Sequence, residues 1–403
     1  MALSHSPKIV TDSLVFMYDT DDGKSYKGEP TTNLITSGGI DFSQRSGYTN
    51  LQTSQVVDSR SPSGYACEME VQDGANINSA ARSQFGQGTN IPSSGNAFVS
   101  IFAKLEGGTY SNITPKIYNG SGTAWQSLSA LDGGSAYLTS EYRRFGYYGA
   151  ITANPGFSMT KGNSNTQTGQ KTRWHSPQVE LKSHATPFVN GTRSATQGLI
   201  DRTGTSTINI SNASFDSNAQ MTFDGADDYS VIPYAPTDLD GDAVFSVEAV
   251  IKRTGTMSNG GIWGIGEGTQ AGINGYVFSS SPNKISIDLW GTATFHTGVD
   301  YPLNKHVHVT WVKTTTGFST STIVIYVNGV AYTGSDLTVM RGTSHTPNLN
   351  TSTTGKGIVI GRVGATTNSY HAQGKVPILK LYSRALTASE VLQNYNATKG
   401  RFS

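Results

Sequence analysis

The sequence of 403 residues contains a single cysteine, Cys67, and only 14% charged residues. One cysteine excludes an intrachain disulfide and argues against a thiolate zinc site, so we expect folding in a reducing cytosol. A formal net charge of +1 gives no electrostatic footprint for nucleic acid. No apolar run approaches the roughly 20 residues that a membrane-spanning helix needs, and the N-terminus shows no secretory signal. We therefore expect neither nucleic-acid binding nor membrane insertion.

Glycine and aromatic residues are, in contrast, abundant. The chain has 46 Gly, 19 Tyr, 15 Phe and 5 Trp, whereas disordered chains combine few aromatics with many charges. Short runs of alternating apolar and polar residues are separated by turns rich in Gly, Ser and Asn. In KISIDLW, the two isoleucines and Leu289 lie on one face, while Lys284 and Asp288 lie on the other. This pattern is typical of an all-β protein.

Two local signals predict individual elements. Asn328-Gly329 lies between two apolar runs and predicts a type I′ hairpin, because both turn positions need a positive φ. Thr387 to Glu390 (TASE) has the pattern of a capping box and predicts a helix that stops at Gly400. Two β-rich blocks and one short C-terminal helix predict two antiparallel jelly-roll β-sandwiches in tandem rather than an α/β enzyme.

The same patterns divide the chain into four segments. Residues 1–45 are interpreted as a turn-rich arm, and residues 46–193 hold the strands of the first sandwich. The stretch WHSPQVELKSHATPFVNGTRS ends that sandwich, because Pro187 breaks a strand and Asn190-Gly191 favours a turn. Residues 194–219 are a connector, and residues 220–403 form the second sandwich.

The second block resembles the laminin-G/concanavalin A-like family of lectin jelly rolls. The resemblance rests on FDGADDY (Phe223–Tyr229), the strands FSVEAVIK and HVHVTWVK, and the closing GKVPILKLYSRALTASEVLQNY, in the order that the family shows. The first block resembles the jelly rolls of carbohydrate-binding modules through its closing Trp strand, Gln-x-Glu and Ala-Thr-Pro-Phe. The arm, the connector and the C-terminus together resemble virion proteins of tailed bacteriophages.

This resemblance implies a non-enzymatic structural protein of a virion, on a tail fibre, collar or capsid surface, whose lectin-like domains attach to host-surface glycan. It implies assembly with other virion proteins in the host cytoplasm and action outside the cell. We also expect a homo-oligomer, because low net charge and many edge strands favour assembly. Two alternatives stay open: a purely architectural capsid-decoration or collar protein without sugar binding, and a polysaccharide depolymerase.

Catalytic motifs of the family are missing from the sequence. Glycoside hydrolases of this fold carry Glu-x-Asp-x-x-Glu on one strand, which places a carboxylate pair on one face. SVEAVIK and ISIDLWG hold one carboxylate each, Glu248 and Asp288, so only convergence of different strands would supply a pair. We expect no catalytic residues. His306 and His308 share one face of a strand, but that strand matches the family's His-Val-x-Trp-Val pattern, which favours a structural role over metal binding.

An exposed ring beside amide or carboxylate groups is the arrangement that binds a sugar. Trp290 is the main candidate, because alternation places it on the same face as Asp288. Trp263, Tyr276 and His296 are predicted to lie near it. The candidates in the first block are Trp125, Tyr147 and Tyr148.

Asp238, Asp240 and Asp242 in DLDGD form a candidate calcium site, because carboxylates spaced around a glycine supply the oxygen ligands that a hard cation prefers. The motif is not an EF-hand, since the glutamate at the twelfth position is missing. A second acidic cluster comprises Asp224, Asp227 and Asp228. The competing interpretation of both is a solvated turn in which Asp side chains bond to nearby backbone.

Overall fold

The computed structural model describes residues 8–35, 37–43, 45–46, 51–71, 82–85, 95–108, 113–118, 125–151, 156–160, 169–233, 239–351, 357–364 and 370–402. Antiparallel strands dominate these residues, as the alternation of apolar and polar side chains predicts. The predicted all-β fold class with a short C-terminal helix is confirmed. Of the helices described, none is both long and apolar enough to cross a membrane.

The first strands are β1 (Leu14–Asp19), β2 (Thr31–Thr32), β3 (Arg45–Ser46), β4 (Leu51–Val57), β5 (Tyr65–Val71), β6 (Arg82–Phe85), β7 (Asn96–Gly107), β8 (Thr114–Tyr118), β9 (Trp125–Ser127), β10 (Ser129–Ala130), β11 (Arg143–Ala150), β12 (Gly156–Thr160), β13 (Lys171–Glu180) and β14 (Thr192–Arg193). They are followed by β15 (Asn209–Asn212), β16 (Ser214–Phe215), β17 (Met221–Asp224), β18 (Tyr229–Ile232), β19 (Phe245–Arg253), β20 (Gly260–Gly266), β21 (Gly272–Val277), β22 (Lys284–Leu289) and β23 (Ala293–Asp300). The last strands are β24 (His306–Lys313), β25 (Phe318–Ser319), β26 (Ile323–Val327), β27 (Val330–Thr333), β28 (Thr338–Arg341), β29 (Ser344–His345), β30 (Ile358–Ile360) and β31 (Gln373–Tyr382). The helices are α1 (Ser37–Ile40) and α2 (Ala388–Thr398), with 3₁₀ turns at Gly334–Asp336 and Lys399–Arg401.

The chain forms two compact units whose boundaries differ from the predicted segments. Unit 1 comprises Met1–Pro30 and Ser194–Ser403, and unit 2 comprises Thr31–Arg193. Part of the predicted arm belongs to unit 1, because β1 pairs antiparallel with β31. The predicted connector likewise contributes β15 and β16 to the sheets of unit 1. Local patterns give no signal for these pairings, since the partner of β1 lies at the other end of the sequence.

Unit 1 is a sandwich of two eight-stranded sheets. The helix-side sheet has the order β16-β17-β31-β19-β24-β26-β27, with β1 beside β31. The pocket sheet has the order β15-β18-β30-β20-β21-β22-β23-β28. Their apolar faces meet in one core, in which the rings of Trp263 and Trp311 pack edge to face at 5.4 Å. Val307 and Val309 are also buried there, as the pattern of the HVHVTWVK strand predicts.

The hairpin and the helix start of unit 1 agree with the sequence. Asn328 and Gly329 adopt φ of 51° and 83° between β26 and β27, as a type I′ turn requires. At the start of α2, the amide of Glu390 donates to Thr387 Oγ1 at 3.3 Å, and the amide of Thr387 donates to Glu390 Oε2 at 2.9 Å. The helix ends at Thr398 with Lys399 as its C-cap, so Gly400 stands at the predicted C′ position, within a 3₁₀ turn that covers Lys399–Arg401.

Unit 2 contains a six-stranded sheet, β10-β11-β7-β13-β5-β4, and a five-stranded sheet, β3-β6-β12-β8-β9. Side chains of both sheets form its core, which includes the buried Ile101, Ile117 and Trp174. Strand β13 has an irregular register against β7 after His175. Ser176, within this bulge, has a φ of +51°, a left-handed conformation that is costly for a residue other than glycine.

Candidate functional site

A row of polar side chains crosses the outer face of the pocket sheet. Asn274, Asp288, Thr294 and Arg341 are register partners on β21, β22, β23 and β28. Their strand neighbours, such as Ile287, are buried in the core of unit 1. Because successive side chains of a strand point to opposite faces, the polar row faces away from that core.

Three members of this row lie in a cavity with a volume of about 110 Å³. Aromatic rings supply much of its wall. The ring of Tyr276 meets those of Phe278 and Tyr370 edge to face, each at 6.1 Å, and the guanidinium of Arg341 lies 5.0 Å from the centre of the Phe278 ring. The residues that line the cavity are Asn274, Tyr276, Phe278, Asp288, Trp290, Gly291, Arg341, Val363 and Tyr370.

Asp288 is the buried carboxylate of this cavity, with 7% of its surface exposed. Its Oδ1 accepts a hydrogen bond of 2.6 Å from the Thr294 hydroxyl. Burial raises the pKa of Asp288 to about 6, although the Thr294 hydroxyl, the charge of Arg341 and the Asn274 amide all lower it. The carboxyl therefore changes its charge close to neutral pH.

Trp290 is half-buried and follows β22 directly, on the face that also carries Asp288. Its ring packs against the backbone of Gly364, where any Cβ would overlap the indole. Gly364 also has a φ of +58°, so both space and backbone conformation favour glycine there. The amide of Gly364 donates to Asn274 Oδ1 at 3.3 Å, which joins the backbone beneath Trp290 to the polar row.

Tyr370 has an unusual backbone conformation at the edge of the cavity. Its φ is +62°, which is costly for a bulky side chain, and its side chain remains exposed. The hydroxyl of the neighbouring Tyr276 donates to Asn259 Oδ1 at 2.7 Å, and Asn259 also has a positive φ. Bulky residues in this conformation are enriched at binding sites, where the surrounding structure holds them in place.

Three of the five predicted sugar-binding candidates line this cavity, namely Trp290, Asp288 and Tyr276. The other two do not. Trp263 is a correction, because it is fully buried in the core and faces the inside of the sandwich. His296 lies on the outer face opposite Ser286 but is buried, and its Nδ1 accepts from the Gly298 amide at 2.9 Å.

Sequence reasoning missed Asn274, Arg341 and Tyr370, which complete the cavity. Alternation in GINGYVF places Asn274 on the face of Tyr276, and this signal was present in the sequence. Arg341 reaches the site only because β28 pairs with β23, and no local pattern predicts that pairing.

The predicted calcium site stays a prediction, because Asp238 lies outside the described residues. The two described members already have partners within the protein. Asp240 accepts from the Thr351 hydroxyl at 2.6 Å. Asp242 pairs with Lys313 at 2.7 Å and accepts from the Gly317 amide at 2.7 Å.

The second acidic cluster has the bonding of an Asx turn. Asp224 Oδ1 accepts from the Ala226 amide at 2.7 Å, and Asp228 Oδ2 accepts from the Asp224 amide at 3.1 Å. Asp227 completes the cluster, and one carboxylate oxygen of each aspartate lies within 4.8 Å of the others. These contacts fit the turn interpretation of the sequence.

Glu248, the other carboxylate considered from the sequence, lies on the opposite outer face of the sandwich. It is fully buried beneath α2 and is bonded to Lys380 and to Asn394, whose Nδ2 donates to Oε2 at 2.6 Å. Burial alone would raise the pKa of Glu248, but the charges of Lys380 and His308 lower it to about 2. Glu248 and Asp288 therefore do not form a pair.

Unit 2 has a second ring-lined cavity, of about 290 Å³, on the outer face of its six-stranded sheet. The rings of Phe102 and His175 are stacked at 5.0 Å, and Tyr142 meets His175 edge to face at 4.3 Å. Arg60 lies 4.5 Å from the centre of the Tyr142 ring, and Phe188 completes the aromatic lining. Burial lowers the pKa of His175 to about 4, so its ring is uncharged at neutral pH.

The candidates predicted for the first block lie elsewhere. Tyr147 is half-buried and packs against the core of unit 2, while Tyr148 is exposed. Neither lines the 290 Å³ cavity. The side chain of Trp125 lies outside the described part of the structure.

Residues 224–392 match the family model of the concanavalin A-like lectin/glucanases superfamily. No curated protein matches the chain. Among solved structures, the chain is similar to the sialidase of Trypanosoma rangeli in complex with the inhibitor DANA, with 13% identity over 86% of this chain and 53% of that chain, at a TM-score of 0.34. The chain thus covers about half of that sialidase.

Two smaller solved domains are also similar. Domain 4 of a GH43 extracellular arabinanase from Geobacillus stearothermophilus, in complex with arabinotriose, shows 17% identity over 50% of this chain and 93% of that chain, at a TM-score of 0.33. The CBM40 of an IT-sialidase from Ruminococcus gnavus, bound to alpha2,3 sialyllactose, shows 12% identity over 37% of this chain and 80% of that chain, at a TM-score of 0.28. These likenesses are too distant to indicate a function.

Proposed function

We propose, from the match of residues 224–392 to a superfamily of lectins and glucanases, that the cavity on the pocket sheet binds a sugar. The observation that carries this proposal is Asp288, a carboxylate that is 7% exposed beneath aromatic rings. Its pKa is raised by burial to about 6, so ionisation at neutral pH costs the fold stability. A carboxylate kept at such a cost is typical of a binding or catalytic site.

The cavity has both parts of a sugar site. The rings of Trp290 and Tyr370 offer apolar surface to the C–H face of a pyranose. Asp288 accepts hydrogen bonds from sugar hydroxyls, and Arg341 donates them. A volume of about 110 Å³ holds only part of one sugar unit, so we expect weak binding by each copy. Several copies on one particle raise the overall avidity.

We infer that the site binds without cleaving the sugar. Glycoside hydrolysis by the common mechanisms needs two carboxylates about 5–9.5 Å apart across the scissile bond. Glu248 lies on the other outer face of the sandwich and is held by Lys380 and Asn394. Asp288 is also the one acidic residue among the described residues that line the cavity, which supports a lectin-like rather than a depolymerase role.

We further propose that the chain is a structural protein of a tailed-bacteriophage virion, on a tail fibre, collar or capsid surface. In this role it assembles with other virion proteins in the host cytoplasm and meets host-surface glycan outside the cell. Assembly as a homo-oligomer is supported by exposed apolar residues on sheet edges, Val57 on β4 and Val330 on β27. Immunogold electron microscopy of intact particles tests the location, and particles without label would contradict it.

A glycan array tests sugar binding by the full chain. The matched pair is Tyr370→Ala and Tyr137→Ala, because Tyr370 lines the cavity and is 45% exposed, whereas Tyr137 lies outside it and is 44% exposed. We expect Tyr370→Ala and Trp290→Ala to lower the affinity for the best glycan about tenfold or more, and Tyr137→Ala to leave it unchanged.

Other outcomes of this experiment distinguish the alternatives. No glycan signal with calcium or with a chelator contradicts sugar binding and supports a purely architectural role. Release of reducing ends from a bound polysaccharide supports a depolymerase. Binding that a chelator abolishes supports a calcium site, for which Asp238, Asp240 and Asp242 are the candidates predicted from the sequence.

A further inference from the structure

A lysine, a glutamate and an asparagine meet beneath α2, on the outer face of the helix-side sheet. Lys380 on β31 and Glu248 on β19 are register partners, and Asn394 belongs to α2. All three side chains are fully buried. An amine, a carboxylate and a primary amide held together in this way are the groups that two side chains need to form an amide bond.

Glu248 contacts both of the other side chains through its two oxygens. Lys380 Nζ donates to Glu248 Oε1, and Asn394 Nδ2 donates to Glu248 Oε2 at 2.6 Å. Because both oxygens belong to one carboxylate, the amine of Lys380 and the side-chain amide of Asn394 are held as neighbours. The carboxylate is placed to accept a proton from the amine and to return one to the amide nitrogen.

The carbonyl oxygen of the Asn394 side chain also has a hydrogen-bond donor. The backbone amide of Val10 donates to Asn394 Oδ1 at 2.8 Å. When a nucleophile attacks Cγ of Asn394, negative charge develops on Oδ1, and a donor that is already in place stabilises that charge. Asn394 Nδ2 also donates to the Tyr382 hydroxyl at 3.0 Å, and this hydroxyl donates to the Val10 carbonyl at 3.1 Å. These bonds fix the orientation of the amide.

Burial favours the proton transfer that makes Lys380 a nucleophile. An ammonium group has no free electron pair, whereas the neutral amine has one. Burial raises the pKa of Glu248, and the charges of Lys380 and His308 lower it to about 2. The largest part of that lowering comes from the charge of Lys380, which disappears when its proton passes to Glu248. The transfer removes two buried charges at once, so the interior of the protein favours it.

We propose that Lys380 and Asn394 form an amide bond with each other, which joins β31 covalently to α2. The neutral Nζ attacks Cγ of Asn394 and forms the new N–C bond. A proton passes from Nζ through the Glu248 carboxyl to Nδ2, and the Cγ–Nδ2 bond breaks as ammonia leaves. Glu248 ends as a neutral carboxylic acid, and no group is oxidised or reduced. This reaction goes beyond the proposed sugar binding and takes place on the opposite outer face of the sandwich.

Electrospray mass spectrometry of the intact full chain tests the proposal. We expect the parent to be about 17 Da lighter than the encoded chain, because one ammonia is lost. Lys380→Met, Glu248→Gln and Asn394→Ala are each expected to keep their full encoded mass. Asn33→Ala is the control, because it removes another buried amide, whose Nδ2 donates to backbone carbonyls, and we expect it to lose ammonia as the parent does. A folded parent with its full encoded mass would overturn the proposal, even if the variants do not fold.

Tryptic peptides place the bond. Trypsin cuts after Arg384, which lies between Lys380 and Asn394, so the two residues belong to separate peptides, 376–384 and 385–399. We expect these peptides to stay joined in a digest of the parent, without cleavage after Lys380. An Asn-Gly step such as Asn328-Gly329 also loses ammonia when it forms a cyclic imide. A lighter parent whose peptides 376–384 and 385–399 separate would show that reaction instead, and the proposal would be wrong.

Discussion

Each unit has a cavity on an outer sheet face with a buried aspartate beside it, and the two aspartates differ in their hydrogen-bond partners. In unit 2, Asp58 accepts a hydrogen bond of 2.7 Å from the hydroxyl of Tyr142 and pairs with Arg60. Although burial raises the pKa of Asp58, the bonds from Arg60 and Tyr142 lower it to about 2. In unit 1, Asp288 accepts from the uncharged Thr294 hydroxyl, and burial raises its pKa to about 6. The comparison shows that a cationic partner keeps the carboxyl of Asp58 charged, whereas the carboxyl of Asp288, bonded to an uncharged hydroxyl, has its pKa raised by burial.

The units also differ in where they place their ion pairs. Unit 1 buries Glu248 and Lys380 completely beneath α2. Unit 2 places Arg173 beside Glu68 and Glu106 on the outer face of its six-stranded sheet, where all three side chains remain partly exposed. Water screens the pairs of unit 2, so an equal change of charge is expected to have unequal effects in the two units.

Breaking the buried pair of unit 1 is expected to give the largest effect. Lys380→Met leaves the Glu248 carboxylate buried without its cation and is expected to lower the free energy of unfolding by about 3–5 kcal/mol. Arg173→Met in unit 2 is expected to cost about 1 kcal/mol or less. Urea unfolding followed by tryptophan fluorescence measures both. The double variant Lys380→Met with Glu248→Met is expected to recover most of the lost stability. Equal losses for Lys380→Met and Arg173→Met would contradict the predicted difference between the two units.

Asp288→Asn is expected to stabilise the protein at neutral pH. The pKa of Asp288 is about 6 in the folded state against an ordinary value of 3.8, so the folded state binds the proton more tightly than the unfolded chain does. Stability therefore falls as the pH rises from about 4 to 6, and the full cost is present at pH 7.5. We expect Asp288→Asn to raise the free energy of unfolding by about 1–3 kcal/mol at pH 7.5 and to leave it unchanged near pH 4. Thermal unfolding at the two pH values measures this, and a loss of stability at pH 7.5 would contradict it.

Asp58→Asn is expected to act in the opposite direction. Its pKa is lowered from 3.8 to about 2 in the folded state, so its contribution to stability is present above pH 4 and is lost as the pH falls through 2. We expect the variant to lower the free energy of unfolding by about 1–2 kcal/mol at pH 7 and to match the parent below pH 2. Thermal unfolding measures this as well. If Asp58→Asn were more stable than the parent at pH 7, ionisation of both aspartates would destabilise the fold, and the predicted contrast would be wrong.

The smallest expected effect concerns the strained backbone at Tyr370. Both Tyr370→Gly and Tyr370→Ala remove the ring from the cavity, but only glycine adopts a φ of +62° without strain. We expect the glycine variant to be more stable than the alanine variant by about 1 kcal/mol, and both to lose glycan affinity equally. Calorimetry and glycan titration measure the two properties. Equal stability would show that this backbone stores no strain.

The sequence predicted those features of the fold that depend on neighbouring residues. The positive φ requirement of Asn328-Gly329 and the reciprocal bonds of Thr387 and Glu390 are local, and both are confirmed. The outward face of β22 was also predicted, because alternation alone separates Asp288 and Trp290 from the apolar stripe. The inward placement of Trp263 was not predicted, since its neighbours Ile262 and Gly264 include no polar side chain that would mark the outer face of the strand.

Local sequence patterns did not predict features that depend on pairing between strands far apart in the sequence. Arg341 joins the cavity through the pairing of β28 with β23, and Lys380 meets Glu248 through the pairing of β31 with β19. The unit boundaries were missed for the same reason, because the partner of β1 is the last strand. Burial of a carboxylate likewise depends on the assembled sheet, so the residues next to Asp288 in the sequence do not predict its pKa.

The pairing of β1 with β31 has a consequence for biosynthesis. The whole of unit 2 lies between these strands in the sequence, so a ribosome completes it long before β31 emerges. At typical elongation rates, β1 waits about 20–70 s for its partner. During that interval unit 2 is fully synthesised, while β1 has an unpaired edge with which strands of other nascent chains can pair. Synonymous codons that slow translation late in the message would therefore increase aggregation, while the mature protein would stay the same.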